Sequence, residues 1–306
     1  MESENLLGFD VGGTKCAAVL GKRCGDKLTI VGRSAFATAD HPEPEKCIRR
    51  FVAAMRELIE KNRVEKYSGI GISCGGPLDA ERGVVLSPPN LPGWDEVPIT
   101  EMLSREFGCP ANLRNDADAC AVAEWRFGAG QGCRNMIFLT FGTGMGAGLI
   151  LNGELYQGAN GMAGECGHIR LAPDGPEGYG KRGSFEGFCS GGGLRQLAET
   201  AFPGRNMDAK ALAMAAMRGD ETALRVWEKC GAHLGEALAV LVDLLNPERI
   251  VLGSIFARSG QLLIPAMRKA LEREALPRSL SACRILPAAL GDAIGDYACL
   301  AVAVRS

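Results

Sequence analysis

Two short segments hold the residues best suited to handling phosphate. One is Asp10-Val11-Gly12-Gly13-Thr14-Lys15 and the other is Phe141-Gly142-Thr143-Gly144-Met145-Gly146. Each lies between apolar runs that read as strands, residues 6–9 and 16–20 around the first, 136–140 and 147–151 around the second. Glycine lets backbone N–H groups approach phosphate oxygens, and threonine adds a hydroxyl donor. Asp10 could hold Mg²⁺ directly or through water, because Mg²⁺ takes few carboxylates and keeps several waters. Either turn alone reads equally well as an ordinary hairpin. Two such turns in matching positions, about 130 residues apart, favour a phosphate gripped from two sides. Because the glycines open onto a strand and not a helix, neither is a dinucleotide fingerprint or a P-loop.

The elements that must position these turns follow from periodicity. After a third strand at 28–36, Ile48, Phe51, Val52, Met55, Leu58 and Ile59 recur at helical spacing, which predicts a helix over 44–62. A buried strand at 67–73 ends in Cys74-Gly75-Gly76-Pro77, and a Pro-rich loop runs from Ser87 to Trp94. A helix at 99–107 and a strand at 111–114 precede Asn115-Asp116, which leads into a helix over 117–127. The second set opens with the strand at 136–140. It continues with helices at 195–201 and 223–245, a strand at 249–252 ending in Gly253-Ser254, a helix at 261–274, a strand at 283–287 and a last helix at 295–304. Strand, glycine turn, strand occurs twice, so the simplest account is an α/β chain of duplicated βββαβα units. Asp116, between a strand end and a helix start, could accept a proton from a hydroxyl. On local sequence alone a helix N-cap is the plainer reading.

Composition excludes several classes. The 34 Lys and Arg nearly balance 36 Asp and Glu, which gives no electrostatic reason to expect nucleic acid. With 46% hydrophobic residues in 306, the chain can bury a core and is not disordered. No apolar run reaches the roughly 18 residues of a membrane span, and the N-terminus does not read as a secretory signal. A cytoplasmic protein is expected. The 12 cysteines are scattered, without a C-x-x-C pair, and read as buried free thiols.

Gly75-Gly76-Pro77, Pro89-Asn90-Leu91-Pro92-Gly93-Trp94, Asn115-Asp116-Ala117-Asp118 and Gly164-Glu165-Cys166-Gly167-His168 join the two turns in a fixed order. Together they resemble the ROK family of sugar kinases and repressors, within the hexokinase and actin-like ATPase superfamily, over about residues 6–303. The resemblance implies a bilobal actin-like ATPase (ribonuclease H-like) fold. Its N-terminal lobe would be 1–115 with a C-terminal helix at 290–306 packed back on it, and its larger C-terminal lobe 116–289. It implies that Asp116 is the catalytic base. ATP and its phosphates would meet Asp10, Gly12, Gly13, Thr14, Lys15, Gly142, Thr143, Gly144, Gly253 and Ser254. Sugar hydroxyls would meet Gly76, Asn90, Asn115, Asp116, Glu165, His168 and Glu186. Mg²⁺ would accompany ATP near Asp10. The expected activity is an ATP-dependent hexose 6-phosphotransferase of the glucokinase-like branch, with N-acetylmannosamine or another hexose as the alternative substrate. A sugar-sensing regulator without catalysis is the alternative of another class. Expected partners are ATP, a hexose and a second copy of the chain, with neither nucleic acid nor membrane.

One stretch departs from the family pattern. Where the family carries three zinc-binding cysteines after His168, this chain has Glu177, Tyr179 and Ser184. Those side chains do not make a tetrahedral thiolate site, so no structural zinc is expected. Packing around Tyr179 and Phe185, with an ion pair from Lys181 or Arg182, would then hold the loop. Trp94 would either report lobe closure or anchor its loop.

Overall fold

A computed structural model describes residues 3–304. Residues 1–2 and 305–306, at the ends of the expected N-terminal lobe and last helix, lie outside the described residues. The chain divides into two compact units, Met1–Gln131 with Asp292–Ser306, and Gly132–Gly291. The division therefore falls after Gln131 and not after Asn115, because the helix that starts at Asp116 packs within the first unit.

The first unit contains β1 (Ser3–Val11), β2 (Lys15–Cys24), β3 (Lys27–Ala37), α1 (Pro44–Lys61), β4 (Gly69–Cys74), the short strands β5 (Leu78–Asp79) and β6 (Val84–Val85), α2 (Ile99–Phe107), β7 (Ala111–Asn115) and α3 (Asp116–Phe127). Its sheet has the order β3-β2-β1-β4-β7, antiparallel across β3, β2 and β1 and parallel across β1, β4 and β7. Alternation along the strands sends one set of side chains to each face. Leu7, Phe9, Ala18 and Leu20 join a core with Phe51 and Met55 of α1 and Leu103 and Phe107 of α2. Phe9 meets Phe51 edge to face at 5.3 Å between centroids. Leu6, Ala17 and Val19 face the other way, against Cys299, Leu300 and Ala303 of a closing helix over Ile294–Ala303. That helix lies so close that a β-carbon at Gly8 would sit 2.5 Å from the Cys299 sulfur, and one at Gly71 would overlap the Cys299 carbonyl oxygen.

The second unit contains β8 (Met136–Leu139), β9 (Ala147–Leu151), β10 (Glu154–Tyr156), the short pair β11 (Glu177–Gly178) and β12 (Lys181–Arg182), α4 (Phe185–Phe188), α5 (Gly191–Ala201), α6 (Ala209–Met217), α7 (Glu221–Leu245), β13 (Arg249–Leu252), α8 (Ser254–Glu274), α9 (Pro277–Ala282) and β14 (Arg284–Pro287). The closing helix of the first unit is α10. The second sheet has the order β10-β9-β8-β13-β14, again two antiparallel and then two parallel pairings. Each sheet thus runs meander first and crossover strands second, the duplication expected from the paired glycine turns. α7 and α8 approach at Gly231, where a β-carbon would lie 2.7 Å from the Leu263 carbonyl oxygen. Among the described residues, no helix is long and apolar enough to cross a membrane.

Two helix starts lie several residues from the sequence expectation, and some helices, α6 among them, are additional to it. α5 begins at Gly191 because Ser190 caps it, its hydroxyl accepting from Gly193 N at 2.9 Å. α6 was not expected at all; Asp208 caps it through Ala211 N at 2.7 Å. α8 begins at Ser254, and its turn at Ser259 is non-helical, which hid the periodicity before residue 261.

Candidate active site

In the first unit the candidate residues gather where three parallel strands end. The register pairs Asp10 with Ser73 and Ser73 with Arg114, so β1, β4 and β7 release the chain side by side at their carboxyl ends. Ligands of open α/β sheets bind at such ends. From β1 come Asp10 and the Gly12–Lys15 turn, from β4 come Gly75 and Gly76, and from β7 come Asn115 and Asp116. Thr38 braces the first turn, its hydroxyl donating to Gly12 O at 2.6 Å and its backbone N–H to Thr14 O at 3.1 Å. Sequence reasoning missed Thr38, which lies beyond the end of β3 in no recognisable motif. The Pro-rich loop folds over this turn. A β-carbon at Gly13 would lie 2.6 Å from Asn90 Cβ, so only glycine admits Asn90 there. Trp94 anchors the loop, fully buried in the core with Nε1 donating to Pro42 O at 3.3 Å. Its burial and this bond anchor the loop.

Asn115 is the cap of α3, its side chain accepting from Ala117 N at 2.9 Å. Asp116 is therefore the first helical residue and not the cap. Its Oδ1 also accepts from Ala117 N, at 2.8 Å. The residue keeps solvent-accessible surface. Protein crowding around it nonetheless raises its carboxyl above the ordinary range, and the backbone bond only partly offsets the rise. Asp10 is pushed from the ordinary 3.8 up to about 6, first by burial, then by the charges of Asp296 and Asp116, against Arg33 and Lys15. Asp296, in the first turn of α10, pairs with Arg33 at 2.8 Å. No sequence signal could have joined it to Asp10, because it comes from the far end of the chain.

The crowding has a measurable consequence. The folded pKa of Asp10 exceeds its unfolded value, so folding favours the protonated carboxyl. That stability is fully present below about pH 4 and is lost as pH rises through about 6. Asp10→Asn should therefore stabilise the protein at pH 7.5 by about 1–3 kcal/mol, with the gain shrinking toward pH 4. Thermal melts at both pH values check this; an equal gain at both would contradict it.

In the second unit the glycine turn follows β8. Thr140 closes it, its hydroxyl accepting from Gly146 N at 2.9 Å. Two helix starts abut it. Gly191 N and Gly192 N of α5 donate to Gly142 O and Thr143 O at 2.8 and 3.1 Å, and Ile255 N of α8 donates to Phe141 O at 3.1 Å. Gly253 caps α8 and Ser254 opens it, so this pair is a helix N-terminus, a site suited to anionic oxygens. Glu186, on α4, reaches back to the turn: Oε2 accepts from Met145 N at 2.9 Å. A β-carbon at Gly144 would lie 2.8 Å from that same oxygen. Glu165 and His168, at the two ends of a short 3-10 turn, are both exposed. Glu186 is tied to this segment, because a β-carbon at Gly167 would lie 3.3 Å from Glu186 Cβ.

The stretch that departs from the zinc pattern is held by polar bonds. Ser184 is buried and caps α4 through Gly187 N at 3.1 Å. Glu177 exchanges two hydrogen bonds with Gln196. Lys181 Nζ donates to His168 O at 2.7 Å, and Arg182 pairs with Asp174 at 2.7 Å. Phe185 packs in the core as expected, but Tyr179 does not, being 82% exposed. Among the described residues no cluster of three His, Cys, Asp or Glu side chains could hold a metal ion. The oxygen set around Asp10 still suits a hydrated Mg²⁺, which needs one carboxylate and takes its other ligands from water and phosphate. The crowding of Asp116 and Asp296 on Asp10, only partly offset by Arg33 and Lys15, is the observation that fits a cation there.

Comparison with known proteins agrees with this layout. The profile of the ROK family matches residues 6–303. A glucokinase of Thermotoga maritima is 30% identical over 96% of both chains. The DNA-binding transcriptional repressor Mlc of Escherichia coli is 30% identical over 71% of this chain and 56% of its own length. A ROK family glucokinase from Streptomyces griseus, solved in complex with glucose and AMPPNP, superposes with a TM-score of 0.78 at 30% identity, covering 98% of this chain and 99% of that one. With the family profile running nearly end to end over two sheets of one topology, the chain belongs to the ROK family and has the actin-like ATPase fold.

Proposed function

We propose that this protein transfers the γ-phosphoryl group of ATP to the 6-hydroxyl of a hexose, glucose first among them. The observation that carries the reading is Asp116, a solvent-accessible carboxylate with a raised pKa, held at the carboxyl end of β7 near enough to Asp10 for their charges to interact. Phosphoryl transfer asks little covalent chemistry of a protein; it asks for an aimed hydroxyl, an acceptor for its proton and donors for the phosphate oxygens. Asp116 takes the proton as the hydroxyl oxygen attacks phosphorus. Gly12, Gly13, Thr14 and Lys15 of the first glycine turn, and Gly142, Thr143 and Gly144 of the second, each offer donors suited to phosphate oxygens: backbone N–H, threonine hydroxyl and, in the first turn, the Lys15 ammonium. Gly253 and Ser254 lie on the adenosine side. Asp10 would hold Mg²⁺ through water, and the ion supplies charge neutralisation for the phosphates. Asn90, Asn115, Gly76, Glu165, His168 and Glu186 hold sugar hydroxyls, and polar groups that a wrong epimer covers but leaves unpaired give discrimination.

A glucokinase relative and a glucokinase complex with glucose support glucose as the substrate. N-acetylmannosamine or another hexose is the alternative. A repressor among the relatives supports a second reading, a sugar sensor without catalysis. A coupled ADP-release assay over a panel of hexoses and N-acetylmannosamine separates them. Turnover with one hexose, yielding its 6-phosphate, is the expected result. Sugar binding by calorimetry with no ADP released would replace the kinase with the sensor.

A further inference from the structure

β11 and β12 form a hairpin whose two-residue loop is Tyr179-Gly180, with φ of +44° and +72°. Two consecutive positive φ values describe a type I′ turn, where Asn, Asp or Gly is favoured at the first position. An aromatic residue there is strained, and strain of this kind is retained where a side chain has work to do. Tyr179 is not retained for packing, since it is 82% exposed. Its ring faces instead toward His168, edge to face at 6.5 Å between centroids.

The hairpin is fixed to the proposed sugar side at two points. Lys181 Nζ donates to His168 O at 2.7 Å. Gly178 sits against Glu186, where a β-carbon would lie 2.8 Å from Glu186 Cβ and 2.6 Å from Gly187 N. The hairpin thus carries the ring of Tyr179 beside His168, and its own strand lies against Glu186, both proposed to hold hydroxyls. An exposed aromatic face beside hydroxyl-binding side chains suits a pyranose, which presents C–H groups on the faces of its ring and hydroxyls around its rim. We infer that Tyr179 is a sugar-contacting specificity residue, its ring packing on the C–H face of a pyranose held by His168. The inference rests on the sugar-kinase reading above.

The test uses the full-length protein with Tyr179→Phe, Tyr179→Ala and Tyr179→Asn. KM is measured for the best hexose and for ATP, with hexose affinity by calorimetry and thermal midpoints alongside. Tyr179→Phe should keep hexose KM within about 2-fold, because the ring makes the contact. Tyr179→Ala and Tyr179→Asn should raise hexose KM and Kd about 5- to 10-fold, the scale of one aromatic packing contact, and leave ATP KM unchanged. Tyr179→Asn should melt no lower than the parent, because asparagine tolerates the left-handed backbone. A purely structural role would lower the melting midpoint and move both KM values, and that result would overturn the inference. Unchanged hexose KM in an active Tyr179→Ala protein overturns it alone. A parent protein that turns over no hexose overturns the kinase reading and this inference together.

Discussion

Asp116→Asn is expected to cut kcat by about 10²- to 10⁴-fold while hexose Kd stays within a few fold. The amide keeps the shape of the side chain and an oxygen that can accept from Ala117 N, as Asp116 Oδ1 does at 2.8 Å. It cannot take the proton of the attacking hydroxyl. Loss of turnover with retained binding separates a base from a residue that only orients the sugar, whose removal would raise KM. The pH profile adds a second check. Crowding raises the carboxyl of Asp116, and only its deprotonated form is a base. In the parent protein kcat should therefore fall on the acid side with a midpoint above the ordinary carboxylate range, and that limb should vanish from the residual activity of Asp116→Asn. Near-normal kcat in the variant would remove Asp116 from the mechanism.

Gly71→Ala should cost the first unit most of its stability, about 3 kcal/mol or more, read as a fall of roughly 10 °C in melting midpoint or as loss of soluble protein. Gly71 lies mid-strand in β4, on the face that α10 covers, in register with Gly8 of β1. A β-carbon there would overlap the Cys299 carbonyl oxygen and crowd Ala303 N, both helix backbone that cannot rotate away. The helix would have to lift, and Asp296 and Gly295 would lift with it. A β-carbon at Gly295 would lie 3.2 Å from Asp10 Oδ2, so the change should also reach the carboxylate cluster. Gly75→Ala is the control, because a β-carbon at that position meets nothing within 4 Å. A Gly71→Ala protein that melts with the parent would show that α10 can slide on the sheet.

The sequence alone determined the parts of this protein that are local. The glycine turns, the strands around them and the helices over Pro44–Lys61 and Ile99–Phe107 follow from period and turn chemistry within a few residues. The ordered motifs were enough to name the family, because six short patterns in one order are improbable by accident. Capping was legible in kind but not in position: Asn115 caps α3 where Asp116 was the candidate, since the two types are equally able and only backbone geometry chooses. Glycine-rich helix starts such as Gly191–Gly193 read as loop, because helix propensity is low there and the serine cap acts through space.

Tertiary structure decided what depends on distant segments meeting. It set Asp296 of α10 against Asp10 of β1, which raises the Asp10 carboxyl. It gave Gly8 and Gly71 their purpose, which is to admit a helix from the other end of the chain. It put Glu186 on Met145 N and Lys181 on His168 O, so that a stretch without the family's cysteines is held by charged and polar bonds. It also turned Tyr179 outward when packing had been expected. The physical reason is the same in each case. Periodicity and turn preference are properties of neighbouring residues, whereas a carboxyl's pKa, the room at a glycine and the exposure of a ring are set by atoms that arrive from elsewhere in the chain.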